Sequence, residues 1–314
     1  MREGRVVKAH SGFFTVWVAD GSSVICQAAG RLTQGAHTED VLAVGDRVTF
    51  SDIAGDGYTR GRIERVAPRT HTLSRRDPIA NTSRKDVRDV RQVIVANVDL
   101  VVFVFACAAP DFHARLLDRF LVGAEAQGLP TLICATKTDL VGSERAREMF
   151  GPYEQLGYRV LYTSVPNDEG LTTLRETLLG KVSVLTGKSG TGKSSLLNAL
   201  KPGLATAVGE VSRAINKGRH TTVVPELVEL DAESWIADTP GLRGFDVWDT
   251  QAEELDAYFR ELAPLVRDCA FSNCAHRAEP GCAVRAAVEA GGVSPERYDS
   301  YLRLRDALEG RRRW

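Results

Sequence analysis

The sequence predicts a multidomain fold with an N-terminal OB-fold β-barrel, a central α/β P-loop domain and a C-terminal helical domain with a metal-binding loop. Short strands separated by turn residues fill the start of the chain, and strands alternate with helices through its middle. The last part is helical around a Cys/His-rich loop. We place the three domains at residues 1–72, 73–246 and 247–314.

The composition is that of an ordinary globular protein. A chain of 314 residues has room for roughly two domains, or three small ones, and its 43% hydrophobic residues suffice for packed cores. The net charge of -1 excludes binding to nucleic acid through overall charge, so any basic surface must be local.

Neither the first residues nor the longest apolar run suggests export or membrane insertion. The segment "MREGRVVKAHSG" has no apolar stretch typical of a signal peptide, and the apolar run from Leu100 is too short to cross a bilayer. We therefore expect a cytoplasmic protein with no membrane partner, whose six cysteines are buried or metal-bound rather than paired in disulfides.

Residues 1–72 contain about five candidate strands and no useful helical periodicity. Strands of this number and spacing favour a small barrel such as an OB-fold, an architecture that often binds oligonucleotides, with an SH3-like barrel as the alternative. The following stretch, 69–91, has seven Arg or Lys residues against three Asp and predicts an exposed linker.

The middle of the chain has the pattern of a mostly parallel sheet. We interpret "VIVANVDLVVFVFAC", from Val93, as one buried strand, and further strands alternate with amphipathic helices up to residue 238. In such a sheet, ligands bind at the carboxyl ends of the strands. Beyond Gly244, "AEELDAYFRELAPLV" and "SPERYDSYLRLRDALEGRRR" predict two helices.

The strongest motif is a phosphate-binding loop. The segment "GKSGTGKS" follows the apolar strand "KVSVLT" and precedes a helical pattern, which is the context that this loop requires. Its glycines let the backbone wrap phosphates, while Lys193 is expected to bind the β- and γ-phosphates and Ser194 to coordinate Mg²⁺. The predicted nucleotide contacts in this loop are Gly187, Lys188, Ser189, Gly190, Thr191, Gly192, Lys193, Ser194 and Ser195.

Two further motifs follow strands of the same predicted sheet. After "SWIA", we expect Asp238 to hold Mg²⁺ through water and the Gly241 N–H to reach a γ-phosphate. After "TLICA" comes "TKTD", which matches the guanine-reading N-K-x-D pattern of GTPases except at its first residue. The Asp of this pattern accepts hydrogen bonds from the N1–H and N2–H₂ groups of guanine. The predicted base contacts are Thr136, Lys137, Thr138, Asp139 and Ser164.

The order of these motifs is reversed relative to ordinary GTPases, because "TKTD" precedes the phosphate-binding loop. A parallel sheet tolerates such an order provided that each crossover remains right-handed. We therefore expect residues 134–164 and 187–241 to form one guanine-nucleotide site with a circularly permuted chain order.

A second site is predicted in the C-terminal domain. Three thiolates and one imidazole within a short loop complete a closed tetrahedral zinc site, which stabilises a domain and leaves no position for a reacting water. The ligands are Cys269, Cys274, His276 and Cys282. The other three cysteines, Cys26, Cys107 and Cys134, lie in apolar stretches and are expected in the core.

Along its whole length the chain resembles the ribosome small subunit-dependent GTPase A (RsgA) family. The residues that carry the resemblance are "TKTD", "GKSGTGKSSLLNAL", "GRHTT", "DTPG" and "CAFSNCAHRAEPGC". It implies an OB domain, a permuted GTPase domain and a zinc domain, with one structural Zn²⁺ and with Mg²⁺ bound alongside GTP or GDP. It also implies slow GTP hydrolysis that the 30S subunit stimulates during late maturation, with release of assembly factors.

Two positions depart from the usual patterns. Thr136 stands where the family has Asn, which puts nucleotide affinity in question, and Leu242 stands where many GTPases have a water-orienting Gln. The resemblance implicates a His in hydrolysis, and His220 occupies its place; Thr222, or failing that Thr221, would close on Mg²⁺ and the γ-phosphate. The predicted catalytic set is Lys193, His220, Thr222 and Gly241.

The expected partners are the 30S subunit with its 16S rRNA, GTP or GDP, and late assembly factors, and we expect a monomer. Local basic surfaces would contact RNA: the 28–40 loop with Arg31, the linker with Arg75, Arg76, Arg84 and Lys85, and the 311–313 tail. Two other functions stay open at this point. One is a non-enzymatic RNA-binding module that senses GTP, and the other is a permuted GTPase acting on another ribonucleoprotein.

Overall fold

A computed structural model describes residues 1–33, 42–53, 60–76, 91–206, 226–231, 233–238 and 250–311. It confirms the predicted fold class, with an N-terminal barrel, a central α/β sheet and a C-terminal region around the Cys/His cluster. In the described part of the chain, no helix is both long enough and apolar enough to span a membrane.

The barrel consists of β1 (Arg2–His10), β2 (Phe13–Trp17), β3 (Ser23–Ala28), β4 (Arg47–Ile53) and β5 (Arg60–Val66). The strand order is β1-β2-β3-β5-β4, and β4 pairs back onto β1, so the barrel is closed. The pair β3–β5 is parallel and the other pairs are antiparallel. This closed five-stranded topology is that of an OB-fold, which decides against the SH3-like alternative. A short helix, α1 (Gly30–Thr33), follows β3.

The predicted linker is partly strand. Two strands, β6 (Thr72–Arg76) and β7 (Arg91–Ala96), form a two-stranded antiparallel sheet. The single strand predicted from Val93 is wrong, because it divides into β7 and β8 (Leu100–Ala106). Asn97 breaks it with a left-handed backbone (φ 54°), and its side chain accepts from Thr70 N at 3.1 Å and donates to Gly45 O at 3.1 Å.

The central sheet has the order β10-β9-β8-β11-β13-β12 and is parallel except for β12. Its remaining strands are β9 (Thr131–Thr136), β10 (Val160–Thr163), β11 (Val182–Thr186), β12 (Glu226–Asp231) and β13 (Ser234–Asp238). Its helices are α2 (Ala114–Glu125), α3 (Ser143–Gln155), α4 (Leu171–Leu178) and α5 (Lys193–Leu200).

Both faces of this sheet are buried. Along β8, Val101, Phe103 and Phe105 face one core and Leu100, Val102 and Val104 face the other, as the alternation of a strand requires. Helices α2 and α3 cover the first face, and α4 and α5 cover the second. The sheet therefore has the layered arrangement in which ligands bind at the carboxyl ends of the strands.

The C-terminal region combines helices with irregular turns. It contains α6 (Ala283–Glu289), which the sequence did not predict, and α7 (Pro295–Arg311), as predicted, but the helix predicted over 252–266 is wrong. Only the short 3₁₀ segments Leu255–Tyr258 and Val266–Asp268 form there. Phe259 is extended (φ -102°, ψ 108°), and Pro264 supplies no N–H to continue a helix.

This region is anchored on α2 by buried charges. Arg297 Nη1 donates to Asp118 Oδ1 at 2.7 Å and Arg297 Nε donates to Glu261 Oε1 at 2.6 Å, with all three side chains almost fully buried. Ser300 also donates to Asp118. Since buried charges are costly unless paired, this network holds α7 in one position against α2.

Candidate functional site

The phosphate-binding loop lies between β11 and α5. A Cβ at Gly187 would fall 2.2 Å from Val104 O, so only glycine allows this close approach to β8. Gly192 (φ 93°) precedes the first turn of α5 in the left-handed conformation. Lys193 Nζ donates to the carbonyls of Gly187 at 2.6 Å and Lys188 at 2.7 Å, and burial lowers the pKa of this ammonium.

The guanine motif contacts this loop directly. Thr136, at the end of β9, is buried, and its hydroxyl donates to Thr191 O at 2.6 Å, with Phe105 O at 3.3 Å. The two predicted motifs therefore lie at one edge of the sheet and share a hydrogen bond. Thr136, which departs from the family pattern, thus supports the loop through its hydroxyl.

Asp139 and Ser164 also lie together. Ser164 Oγ donates to Asp139 Oδ1 at 2.6 Å, which orients the exposed carboxylate. The neighbouring Thr138 hydroxyl donates to Glu169 Oε2 at 3.0 Å, and backbone hydrogen bonds pair Ser164 with Glu169. An oriented carboxylate that faces solvent can accept two N–H groups of a base. Glu169 therefore supports both Thr138 and Ser164, a role that the sequence did not predict.

Lys137 approaches the loop from the other side. It has a left-handed backbone (φ 59°), and its ammonium donates to Ala109 O in the segment that follows β8. A Cβ at Gly192 would lie 4.0 Å from Lys137 Cε, so the lysine stem runs beside the start of α5. A stem in this position can cover one face of a bound base.

Ser194 and Ser195 are exposed in the first turn of α5, and Ser189 is exposed in the loop. Strand β13 pairs with β11 in parallel, which brings its last residue, Asp238, to the same edge of the sheet. The side chain of Asp238 and the predicted residues His220, Thr221, Thr222 and Gly241 lie outside the described residues. The described donors fit a nucleotide with Mg²⁺: a glycine loop, a lysine within it and a serine at a helix start.

The Cys/His cluster assembles as the sequence predicts. The ligand atoms of Cys269, Cys274, His276 and Cys282 all lie within 4.8 Å of one another. His276 Nδ1 is 3.4 Å from Cys282 Sγ and 3.6 Å from Cys269 Sγ. Three sulfurs and one nitrogen at these separations, mostly buried, fit a tetrahedral Zn²⁺ with no open position.

The surroundings of this cluster hold its ligands in place. His276 Nε2 lies 3.0 Å from Asp256 Oδ2, so the carboxylate fixes the tautomer that presents Nδ1 to the metal. Glu279 accepts from the backbone N–H groups of Ala275 at 2.7 Å and Arg277 at 2.7 Å. The sequence pattern predicts the four ligands but neither of these acidic residues.

The remaining cysteines are core residues, as predicted. Cys26, Cys107 and Cys134 are all buried. Burial raises the pKa of the Cys26 and Cys107 thiols to about 11 and that of Cys134 to about 12. Thiols with such pKa values stay protonated at neutral pH and are poor nucleophiles.

One predicted basic contact is already paired within the barrel. Arg31 Nη2 donates to Glu64 Oε2 at 2.6 Å, and Arg62 Nε donates to the other oxygen of Glu64 at 2.7 Å. One carboxylate thus faces two guanidinium groups, which leaves this surface basic. The side chains of Arg75, Arg76 and Arg311, together with Arg84, Lys85, Arg312 and Arg313, lie outside the described residues.

A family profile and individual relatives all indicate the same protein family. The RsgA GTPase family profile matches residues 66–248. The "Small ribosomal subunit biogenesis GTPase RsgA" of Gemmatimonas aurantiaca is 46% identical over 308 residues, which is 98% of each chain. The protein of the same name from Alkaliphilus metalliredigens is 37% identical over the full length of both chains.

Two solved structures share the fold. The crystal structure of YjeQ from Thermotoga maritima superposes with a TM-score of 0.78 at 33% identity, covering 98% of this chain and 99% of that one. The structure of YloQ, described as a circularly permuted GTPase, has a TM-score of 0.73 at 30% identity and covers 99% and 96%. Similarity over whole chains includes the barrel and the Cys/His region as well as the α/β sheet.

Proposed function

The chain belongs to the RsgA GTPase family, and we propose that it is a P-loop GTPase that acts in the biogenesis of the small ribosomal subunit. The observation that carries the nucleotide site is the hydrogen bond from the Thr136 hydroxyl to Thr191 O at 2.6 Å. It joins the base-reading strand to the phosphate loop, as a single guanine-nucleotide site requires. The names of the relatives support the small subunit as the partner.

In this proposal, different residues of the site bind the base and the phosphates of GTP. Asp139, oriented by Ser164, accepts two N–H groups of guanine, and Lys137 lies along the ring. The loop 187–195 surrounds the phosphates with backbone N–H groups, and Lys193 leaves its two carbonyl partners to contact the β- and γ-phosphates. Ser194, Thr222 and Asp238 would hold the Mg²⁺ ion, which would supply positive charge beside the β- and γ-phosphates.

We further propose that His220 positions the attacking water and that Gly241 senses the γ-phosphate, since Leu242 cannot orient water. The ribosomal partner would place His220 correctly, so we expect slow hydrolysis by the protein alone. The variant His220→Ala should therefore lose the stimulated rate and keep GDP affinity. Full stimulated turnover in His220→Ala would remove His220 from the mechanism.

We propose that the partner is the 30S subunit with its 16S rRNA. Late assembly factors would leave the subunit after GTP hydrolysis. We propose that the protein acts as a cytoplasmic monomer, with domains at 1–72, 73–246 and 247–314. The barrel has the topology of an oligonucleotide-binding fold, and Arg31 and Arg62 lie together on its surface. Phosphate contacts from such residues give binding that weakens steeply with salt.

Co-sedimentation tests this partner. The purified protein is mixed with 30S or 50S subunits in the presence of a non-hydrolysable GTP analogue or GDP, at low and moderate salt. We expect co-sedimentation with 30S only, favoured by the GTP analogue and weakened by salt. Equal association with both subunits, or indifference to salt, would contradict the proposed partner or its RNA contacts.

A further inference from the structure

A closed ring of hydrogen bonds lies at the carboxyl ends of β9 and β10, around the predicted base-reading carboxylate. Ser164 Oγ donates to Asp139 Oδ1 at 2.6 Å. Asp139 follows Thr138 in the chain, and Thr138 Oγ1 donates to Glu169 Oε2 at 3.0 Å. The backbones of Ser164 and Glu169 then pair with each other, with N···O distances of 3.1 Å and 2.9 Å. The ring therefore returns to Ser164 and fixes the two strand ends relative to each other.

The hydroxyl proton of Ser164 points to Asp139. The Asn167 N–H donates to Ser164 Oγ at 3.3 Å, so this oxygen already acts as an acceptor, and its single proton serves the carboxylate. Ser164 is fully buried, so water does not compete for this proton. Rotation of a carboxylate about its own bond is otherwise weakly restricted. The Ser164 hydroxyl therefore selects one orientation of the Asp139 carboxylate.

The residue after Glu169 places this glutamate in the ring. Gly170 has a left-handed backbone (φ 71°), and a Cβ there would fall 2.2 Å from Tyr162 O. Glycine therefore allows the chain to turn from Glu169 into α4 at this point. Glu169 is an exposed residue, but its carboxylate accepts from the Thr138 hydroxyl, and Thr138 is buried. Because a buried hydroxyl without a partner is unfavourable, this contact stabilises the turn that carries Asp139.

Recognition of guanine depends on how well this carboxylate is oriented. Two parallel N–H groups of the base, at N1 and at the 2-amino group, require both carboxylate oxygens in the plane of the base. A single hydrogen bond to N1–H can follow a rotation of the carboxylate, whereas the pair of hydrogen bonds cannot. Loosening the ring should therefore weaken the contact to the 2-amino group most. The N-K-x-D pattern leaves the position of Thr138 open, so the pattern does not predict this dependence.

We propose that Glu169 is a positioning residue that sharpens recognition of the guanine 2-amino group. It acts on Asp139 through the Thr138 hydroxyl and through its backbone pairing with Ser164. The inference rests on the proposed guanine-nucleotide site and adds a determinant of its base selectivity. The base that reveals this determinant is hypoxanthine, which has the N1–H group of guanine but lacks the 2-amino group.

The test compares GDP with inosine diphosphate, whose base is hypoxanthine. Dissociation constants of both are measured on the full chain with Mg²⁺, by competition with fluorescent GDP. The parent should prefer GDP by about tenfold or more, because inosine diphosphate loses one charged hydrogen bond. In Glu169→Ala this preference should fall by about threefold or more, since the affinity for GDP decreases more than that for inosine diphosphate. Glu169→Gln retains an acceptor for the Thr138 hydroxyl and should keep the preference of the parent.

Two further variants separate positioning from a general loss of structure. Thr138→Val removes the donor and should reproduce the change seen in Glu169→Ala, with no additional change when both are combined. Glu176→Ala removes an exposed glutamate of α4 and should leave the preference unchanged.

The outcomes distinguish this inference from the proposed function. An unchanged preference in Glu169→Ala, even with both affinities reduced equally, would overturn the inference and leave the guanine site intact. An equal fall in Glu169→Gln and Glu169→Ala would also overturn it, because the acceptor would then not matter. A parent that binds GDP no better than adenosine diphosphate would overturn the proposed guanine site itself, and this inference with it.

Discussion

The Thr136 hydroxyl lies 2.6 Å from the main-chain oxygen of Thr191, and this hydrogen bond joins the end of β9 to the phosphate loop. Thr136 is 3% exposed, so water cannot replace the bond if the hydroxyl is removed. The contact crosses 55 residues of chain and connects two motifs whose order is permuted. It therefore makes the shape of the phosphate loop depend on the end of β9.

Removing this hydroxyl should weaken nucleotide binding. Thr136→Val keeps the shape of the side chain but leaves the Thr191 carbonyl without its donor, at a cost of about 1 kcal/mol, or about fivefold in the Kd of GDP. Fluorescent GDP titration measures the change. Thr136→Ser, which retains the hydroxyl, should bind GDP almost as the parent does, and equal losses in both variants would indicate that packing rather than the hydrogen bond matters.

The carboxylate of Asp139 should determine the base. In Asp139→Asn the amide donates where the carboxylate accepted, so we expect GDP affinity to fall by about 100-fold or more through loss of two charged hydrogen bonds. Binding of xanthosine diphosphate, whose C2 oxygen can accept from the amide, should appear. Asp168→Asn changes an exposed carboxylate of the loop after Ser164 and should leave both affinities unchanged. Retained GDP preference in Asp139→Asn would exclude this residue as the base reader.

Asp256 should act on zinc affinity through His276. Asp256→Asn removes the carboxylate that lies 3.0 Å from His276 Nε2, and loss of such a partner lowers metal affinity by about 10- to 100-fold. Competition with a zinc indicator measures the affinity, and elemental analysis of the parent should give one zinc per chain. Asp268→Asn, next to Cys269 but exposed, is the matched control. An unchanged zinc affinity in Asp256→Asn would show that the ligands hold their geometry without it.

The buried ion network should dominate the attachment of α7. Arg297→Met leaves Asp118 and Glu261 without their cation, and we expect a loss of about 3–5 kcal/mol in the free energy of unfolding. Arg303→Met, on the exposed side of the same helix, breaks an ion pair with Asp299 and should cost less than about 1 kcal/mol. Urea denaturation followed by circular dichroism compares the two, and similar costs for both would contradict this account.

Features specified by neighbouring residues could be predicted from the sequence. The phosphate loop and the four cluster ligands each lie in a short segment whose residue types require one geometry. The support of these sites could not be predicted in the same way. Asp256 precedes His276 by 20 residues and lies in a 3₁₀ turn where the sequence predicted a regular helix.

Two segments have a backbone conformation that differs from the one their sequence pattern predicts. The apolar run from Val93 has strand composition throughout, but Asn97 turns the chain because its side chain hydrogen-bonds to Thr70 and Gly45, which are distant in sequence. The segment 252–266 has helical spacing, but Leu255, Phe259 and Leu262 bury themselves against α7 without a regular helix. In both places tertiary contacts override the local pattern.

We propose that one permuted nucleotide site hydrolyses GTP and responds to the small ribosomal subunit. The most direct measurement is the GTP turnover rate of the purified protein alone, with 30S subunits and with 50S subunits. We predict slow turnover alone and strong stimulation by 30S only, which Lys193→Ala should abolish by removing the phosphate contact. An unstimulated rate with 30S, despite intact GDP binding, would contradict the claim.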